Sequence, residues 1–358
     1  MITKIHLLRM IYPAGVEVMC LNLTKLDNVN RNIAIYTKKS EKGRGMLEKY
    51  KEFFDSVIYI DPISLKYELK KIIDLEKKIN KKIILISWFF PLNLKFLYYL
   101  DIPTLNHIGN PSHAHSIIRK IKNQLIFLNL YLFKMNKIGF AYASNFIKKS
   151  YRKNYFFPKS VYEKVIYNGD YTVRKQINIL NLSKIRFAMV GRLNKIKNFS
   201  EFIYFCHKFN LTNKGHEYLI IGDGEEFESL NALNYKLGSI CKFLGIINNK
   251  EKIYENFDIL LFFNTNAEGF GNVIIESMNR CKLVVVKDCG GPAELIQDGV
   301  TGLKFKNIVD LNLKLKKIMK NSSKLKKIIQ NAKQKFDKTF EINKTKDKYD
   351  LMIKRLTT

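Results

Sequence analysis

Residues 268–276 read EGFGNVIIE, which sets two carboxylates eight positions apart with a glycine-rich turn and a helix start between them. The apolar run FDILLFFN (257–264) comes before it and has the length and composition of a buried strand. The run NVIIESMN (272–279) comes after it and reads as a helix with Asn272 near its cap. In the order strand, glycine turn, helix, the backbone N–H groups of the helix start are aimed at an anion above the strand end. A carboxylate on either side of that anion can grip hydroxyl groups. The stretch therefore suits a ligand with a phosphate centre and hydroxyls on both sides, as in a nucleotide-sugar.

The same alternation extends along the whole chain. In the first half, 4–10, 32–37, 56–60, 82–87, 102–108 and 137–144 read as strands, and 15–26, 63–79 and 115–135 as helices. In the second half, strands are expected at 185–191, 217–224, 242–245, 258–263 and 282–288, with helices starting near Phe199, Glu225, Lys250, Asn272 and Pro292. Strands alternating with helices imply parallel sheets covered on both faces, and two such runs imply two doubly wound α/β domains. The polar stretch 167–184 is poor in strand pattern, so the domains are expected at 1–175 and 176–338, with a lysine-rich helix over 339–358 packing back on the first.

A chain of 358 residues can bury two cores, and a hydrophobic content of 46% excludes a disordered protein. The five cysteines (Cys20, Cys206, Cys241, Cys281, Cys289) are scattered and form no CxxC, which suits core thiols in a reducing cytoplasm. The net charge of +30 admits nucleic acid, an anionic membrane face or a plain lysine bias as its cause. No helix-turn-helix, zinc or RNA-binding signature accompanies the charge, so nucleic acid is not an expected partner. The N-terminus lacks an apolar core followed by a small-residue cleavage site. The most apolar stretch, 83–100, is broken by Pro91, Asn93 and Lys95, and reads as strand, turn and helix instead of a membrane span.

Three further motifs end strands in the second half. In VGRLNKIK (190–197), Gly191 ends a strand and Arg192 and Lys197 follow, two cations suited to a pyrophosphate or to an ordinary basic surface loop. In IIGDGEE (220–226), Gly222 and Gly224 permit close backbone approach, as an ordinary strand-to-helix turn also does. In DCGGPAELIQDGVTGLKF (288–305), Pro292 sits in a first helical turn and Glu294 is either structural or touches ligand.

Together and in this order the motifs resemble the retaining glycosyltransferases of family 4, glycosyl transferases group 1, which have the GT-B fold of two Rossmann-like domains facing a central cleft. The matching residues are GRL (191–193) with Lys197, GDG (222–224), FLG (243–245), EGFG (268–271) with Glu276, GGPAE (290–294) and DGVTG (298–302). Asn198 departs from the pattern, which has glycine after the lysine. The resemblance implies that Arg192 and Lys197 bind the donor diphosphate, that Glu268 holds donor-sugar hydroxyls and that Glu276 holds the ribose. It implies backbone contacts to phosphate or sugar from Gly269, Phe270, Gly271, Asn272 and Val273, with Gly191, Gly222 and Gly224 lining the site and Leu244 near the base.

The first half resembles the family less closely. Where paired glycines are expected, YPAGVEV (12–18) has Ala14, leaving Gly15 as the donor-contact candidate. His107 matches in placement the family histidine near the transferring sugar; a satisfied structural histidine is the alternative. His113 and His115 lie nearby without a carboxylate or cysteine cluster, so no metal site is expected there. The helix over 115–135, with Arg119, Lys120, Lys122 and Lys134, is either a core helix or a membrane-leaning one.

The implied function is metal-independent, cofactor-free transfer of a hexose or N-acetylhexosamine from a UDP-linked donor to a glycan or lipid-linked acceptor. It would take place in the cytoplasm, on the inner membrane face, in surface polysaccharide or lipopolysaccharide synthesis. The rival readings are a nucleotide-sugar epimerase of the same architecture and a non-catalytic basic protein that binds RNA or membrane. The ordered motifs argue against the first, and intact Arg192, Lys197, Glu268 and Glu276 against the second.

Overall fold

The computed structural model describes residues 1–12, 14–40, 43–88, 100, 102–112, 137–155, 161–174 and 181–358. The expected helix over 115–135, its basic residues, and His113 and His115 lie outside them. The chain forms two compact units, one of residues 1–169 with 342–358 and one of residues 170–341. Each is built on a parallel sheet, as two doubly wound α/β domains require.

The first sheet has seven strands, β1 (Thr3–Met10), β2 (Arg31–Lys38), β3 (Ser56–Tyr59), β4 (Ile83–Ser87), β5 (Thr104–Ile108), β6 (Ile138–Tyr142) and β7 (Tyr162–Val165), in the order β3-β2-β1-β4-β5-β6-β7. The second has six, β8 (Arg186–Val190), β9 (Glu217–Ile221), β10 (Cys241–Gly245), β11 (Ile259–Phe262), β12 (Leu283–Lys287) and β13 (Leu303–Phe305), in the order β10-β9-β8-β11-β12-β13. Every pairing is parallel. The central strands are apolar throughout because helices cover both their faces: all four residues of β11 are buried, as are Leu283 to Val286 of β12.

Strands β7 and β13 and helices Arg44–Phe53 and Asn145–Asn154 escaped the sequence reading. β7 (YEKV) and β13 (LKF) are short edge strands, half-buried or broken by a charge, so neither carries an apolar run. Helix Arg44–Phe53 buries only Met46 and Tyr50, and helix Asn145–Asn154 only Ile147 and Tyr151, too narrow a stripe to announce a helix. The helix expected from Glu225 begins at Phe227, because Glu226 is held in the turn by donating its N–H to Leu193 O at 3.1 Å.

In the first unit, helix Ile342–Thr357 lays Tyr349, Met352, Ile353 and Leu356 into a core shared with Leu8, Ile86, Trp88 and Leu105. Gly139 of β6 makes room for it, since a Cβ there would come within 2.8 Å of Leu356 Cδ1. In the second unit, Phe187, Met189, Ile259 and Leu261 of the sheet pack with Phe199, Phe202 and Phe209 of helix Phe199–Thr212. Among the described residues, no helix is long and apolar enough to cross a membrane.

Candidate donor-binding site

In the second sheet the chain starts at β8, builds outwards through β9 and β10, then returns to the other side of β8 with β11. The crevice beyond the carboxyl ends of β8 and β11 is thus a topological switch point, where open α/β sheets bind ligands. The GRL motif follows β8 and EGFG follows β11, so the fold brings the two best-marked loops to this one place.

There Lys197 Nζ lies 2.6 Å from Glu268 Oε2, each side chain less than a fifth exposed. The ammonium also stands 4.9 Å from the centroid of the Phe262 ring at the end of β11. The residue after Lys197, Asn198, adopts a left-handed conformation (φ 59°) at the N-cap position of helix Phe199–Thr212. Asparagine is among the few side chains that tolerate this conformation, so it can stand where the resemblance leads us to expect glycine. Arg192 is more exposed and donates from Nε to Glu225 Oε2 at 3.1 Å. The Glu225 carboxyl is held below its usual range, chiefly by a backbone hydrogen bond and then by Arg192.

The glycines of this region are explained first by packing of backbone on backbone. A Cβ at Gly222 would lie 2.0 Å from Gly191 O, and one at Gly224 would lie 2.3 Å from Leu193 O. Leu193 N–H donates to Asp223 O at 3.0 Å, and Gly222 N–H to Gly245 O at 2.8 Å, so the GRL, GDG and FLG turns form one stack. In the same way a Cβ at Gly291 would lie 1.8 Å from Gly269 O, which seats the GGP turn against EGFG. Leu244, next to Gly245 at the end of β10, is exposed.

Gly271 (φ 88°) is the N-cap of helix Asn272–Asn279 and has no capping side chain. Its left-handed conformation turns the chain from the loop into the helix, whose first turn carries Asn272 and Val273. Phe270 is buried and meets the Phe340 ring edge-on at 6.4 Å, which makes its side chain a core group and leaves its backbone as the part suited to a ligand.

Glu276, one turn into this helix, is gripped by two residues that the sequence reading passed over. Lys250 Nζ sits 2.8 Å from Oε1, and the Tyr254 hydroxyl donates to Oε2. Lys250 in turn bonds Asp170 Oδ1 at 2.8 Å, and Arg280 bonds Asp170 Oδ2 at 3.0 Å. Burial pulls the Lys250 ammonium down, but Glu276 and Asp170 outweigh it and hold it above its usual value. Burial pushes the Asp170 carboxyl up, but Lys250 and Arg280 outweigh it and keep it below the usual carboxylate range. Lys250 and Tyr254 are four apart on helix Lys250–Glu255, a same-face spacing visible in the sequence. Nothing in the sequence says which carboxylate that face meets.

In the first unit, Gly15 opens helix Gly15–Lys25, whose cap residue Ala14 offers no side-chain bond. His107 is buried in β5; its Nδ1 lies 2.5 Å from the Tyr349 hydroxyl, and its Nε2 has no partner among the described residues. Burial lowers its pKa to about 4, so the ring is neutral at physiological pH. Among the described residues there is no group of three or more His, Cys, Asp or Glu able to hold a metal ion.

Residues 171–335 match the family described as Glycosyl transferases group 1. Over 143 residues the chain is 28% identical to N-acetyl-alpha-D-glucosaminyl L-malate synthase of Bacillus anthracis; the match spans 39% of this chain and 37% of that relative. Among solved structures, Anabaena HepE in complex with UDP aligns with a TM-score of 0.79 at 17% identity, covering 98% of this chain and 99% of that one. The lipopolysaccharide outer core galactosyltransferase WaaB aligns with a TM-score of 0.71 at 16% identity, covering 99% of each chain. The two units thus have the fold of GT-B glycosyltransferases.

Proposed function

We propose that the protein is a retaining glycosyltransferase that moves a hexose or N-acetylhexosamine from a UDP-linked sugar to a glycan or glycolipid acceptor. The observation that carries this reading is the Lys197–Glu268 pair at the switch point, beside an uncapped helix start. One member of the pair suits a phosphate and the other a sugar hydroxyl, so a nucleotide-sugar satisfies both at once.

Arg192, Lys197 and the helix start near Gly271 would offset the charge that grows on the departing diphosphate. These groups would do the work that a divalent metal does elsewhere, and no cofactor would be needed. Glu268 would hold the transferred sugar, Glu276 the ribose, and exposed Leu244 would pack against the base. His107 would contact the sugar. The acceptor hydroxyl would attack on the face the diphosphate leaves, passing its proton to a donor phosphate oxygen.

The reading is supported by the match to Glycosyl transferases group 1 and by the UDP and UDP-glucose bound in HepE structures. A role in surface polysaccharide or lipopolysaccharide synthesis is supported by the resemblance to WaaB. The charge of +30 would hold the enzyme on the anionic inner face of the membrane, so binding to anionic vesicles should weaken as salt rises.

The direct test is a panel of nucleotide-sugars offered to the purified full chain, reading nucleotide release and protection against unfolding. UDP-sugars should protect and slowly release UDP. A chain that neither binds nor turns over any nucleotide-sugar would overturn the reading.

A further inference from the structure

His107 and Tyr349 stand far apart in the sequence, one in β5 and one in helix Ile342–Thr357, yet both rings are buried in the core of the first unit. Trp88 holds them there. Its ring centroid lies 5.0 Å from His107 and 5.9 Å from Tyr349, and its indole N–H is committed to His6 Nδ1 at 3.0 Å. The remaining polar atoms are His107 Nδ1, His107 Nε2 and the Tyr349 hydroxyl, with 2.5 Å between the first and the last.

The direction of that bond decides the chemistry of the imidazole. If Nδ1 carried the proton and donated it, the phenol hydrogen would be buried without an acceptor among the described residues, and Nε2 would be an unpaired acceptor as well. If the phenol donates to Nδ1, a single polar group is left over, Nε2–H. The second arrangement leaves fewer buried groups unsatisfied and is therefore the stable one.

Nε2 is buried, and on one side its neighbour is a glycine, Gly109. A Cβ built on Gly109 would lie 3.5 Å from Nε2 and 3.2 Å from Val16 Cγ2, in the first turn of helix Gly15–Lys25. The orphan nitrogen is thus next to the glycine-marked helix start, where a side chain at Gly109 would crowd Val16.

We propose that Tyr349 is a positioning residue that locks His107 in the Nε2–H tautomer, making the imidazole a fixed hydrogen-bond donor to an oxygen of the bound sugar. In this tautomer Nε2 holds a proton and has no lone pair to accept one, so His107 donates a hydrogen bond and does not act as a base. The role in sugar binding rests on the glycosyl-transfer reading above; the tautomer does not.

The experiment is nitrogen-15 NMR of the full chain with labelled histidine, in wild type and Tyr349→Phe, alongside transfer kinetics. The wild type should show His107 Nδ1 unprotonated and Nε2 protonated. Tyr349→Phe should mix in the other tautomer and lower turnover by about tenfold, with nucleoside diphosphate affinity unchanged, since that ligand belongs to the second unit. A wild-type His107 protonated at Nδ1 overturns the proposal, and this measurement needs no variant to fold. An unmoved tautomer in a folded Tyr349→Phe chain also overturns it. If instead the wild type transfers no sugar while its tautomer is as stated, it is the functional reading that fails, and the sugar contact with it.

Discussion

Lys197 and Glu268 meet at 2.6 Å although they belong to loops after different strands, β8 and β11, that become neighbours only in the folded sheet. Each satisfies the other in a half-buried place where a lone charge would be costly. On the proposed reading a diphosphate arriving there would share Lys197 with Glu268, and the sugar hydroxyls would take up the carboxylate. The pair is a structural contact and, on the proposed reading, would also sort charge along a nucleotide-sugar.

Lys197→Ala and Arg192→Ala should each lower turnover by about 10²-fold, because each removes a charge-assisted contact to the leaving diphosphate. The two should differ in stability. Arg192 is exposed, so its loss should leave the thermal midpoint unchanged, whereas Lys197→Ala strands Glu268 and should lower it. Steady-state kinetics with a thermal melt of each variant checks both points; normal turnover in either would sink the phosphate assignment.

Glu276→Gln should weaken donor affinity by roughly tenfold, the loss of one charge-assisted acceptor. It also removes the partner of Lys250 and Tyr254, so Tyr254→Phe should weaken nucleoside diphosphate binding in the same direction through a looser carboxylate. Glu268→Gln should slow transfer and spare binding of the bare nucleoside diphosphate. Calorimetry with the nucleoside diphosphate separates these roles, and equal losses in Glu268→Gln and Glu276→Gln would contradict the assignment.

Transfer should proceed in EDTA, with cations and a helix start taking the place of a metal. Activity abolished by the chelator and restored by Mg²⁺ or Mn²⁺ would reverse this expectation.

His107→Gln should cost more stability at neutral pH than in acid. The folded His107 has its pKa lowered from 6.5 to about 4, so the unfolded chain binds the extra proton between these values. Stability from this group is present above pH 6.5 and is lost as pH falls towards 4, by about 1.4 kcal/mol per pH unit. Buried His6, also lowered to about 4, acts in the same sense, while Glu17, raised by burial to about 7, acts against them. The difference between wild type and variant isolates His107. Fluorescence of Trp88, the single tryptophan and a buried neighbour, reports unfolding of this unit. A difference that stays constant from pH 7 to pH 4 would show that the ring titrates normally.

Asn198→Gly should be nearly neutral, whereas Asn198→Ala should destabilise the second unit by about 1 kcal/mol, since alanine is disfavoured at a φ of 59°. Denaturant melts distinguish the two, and equal stability would deny the strain argument.

The amino-acid sequence by itself determined the two parallel α/β units, because strands covered on both faces must be apolar along their length and so announce themselves. It also marked, by glycines between a strand and a helix, the loops after β8 and β11 that the fold brings to the switch point. Local pattern was silent where burial is thin, as at edge strands β7 and β13 and at the helix Arg44–Phe53. Only the tertiary structure decided who partners whom. It gave Glu268 to Lys197, and Glu276 to Lys250 and Tyr254; it turned the Phe270 side chain into the core and set Tyr349 against His107. Gly222, Gly224 and Gly291, legible as flexible points, are required because another backbone passes within 2.3 Å of where their Cβ would be. Periodicity along a chain records how each residue is buried, whereas contacts between distant loops depend on the order in which strands enter the sheet, which no local pattern encodes.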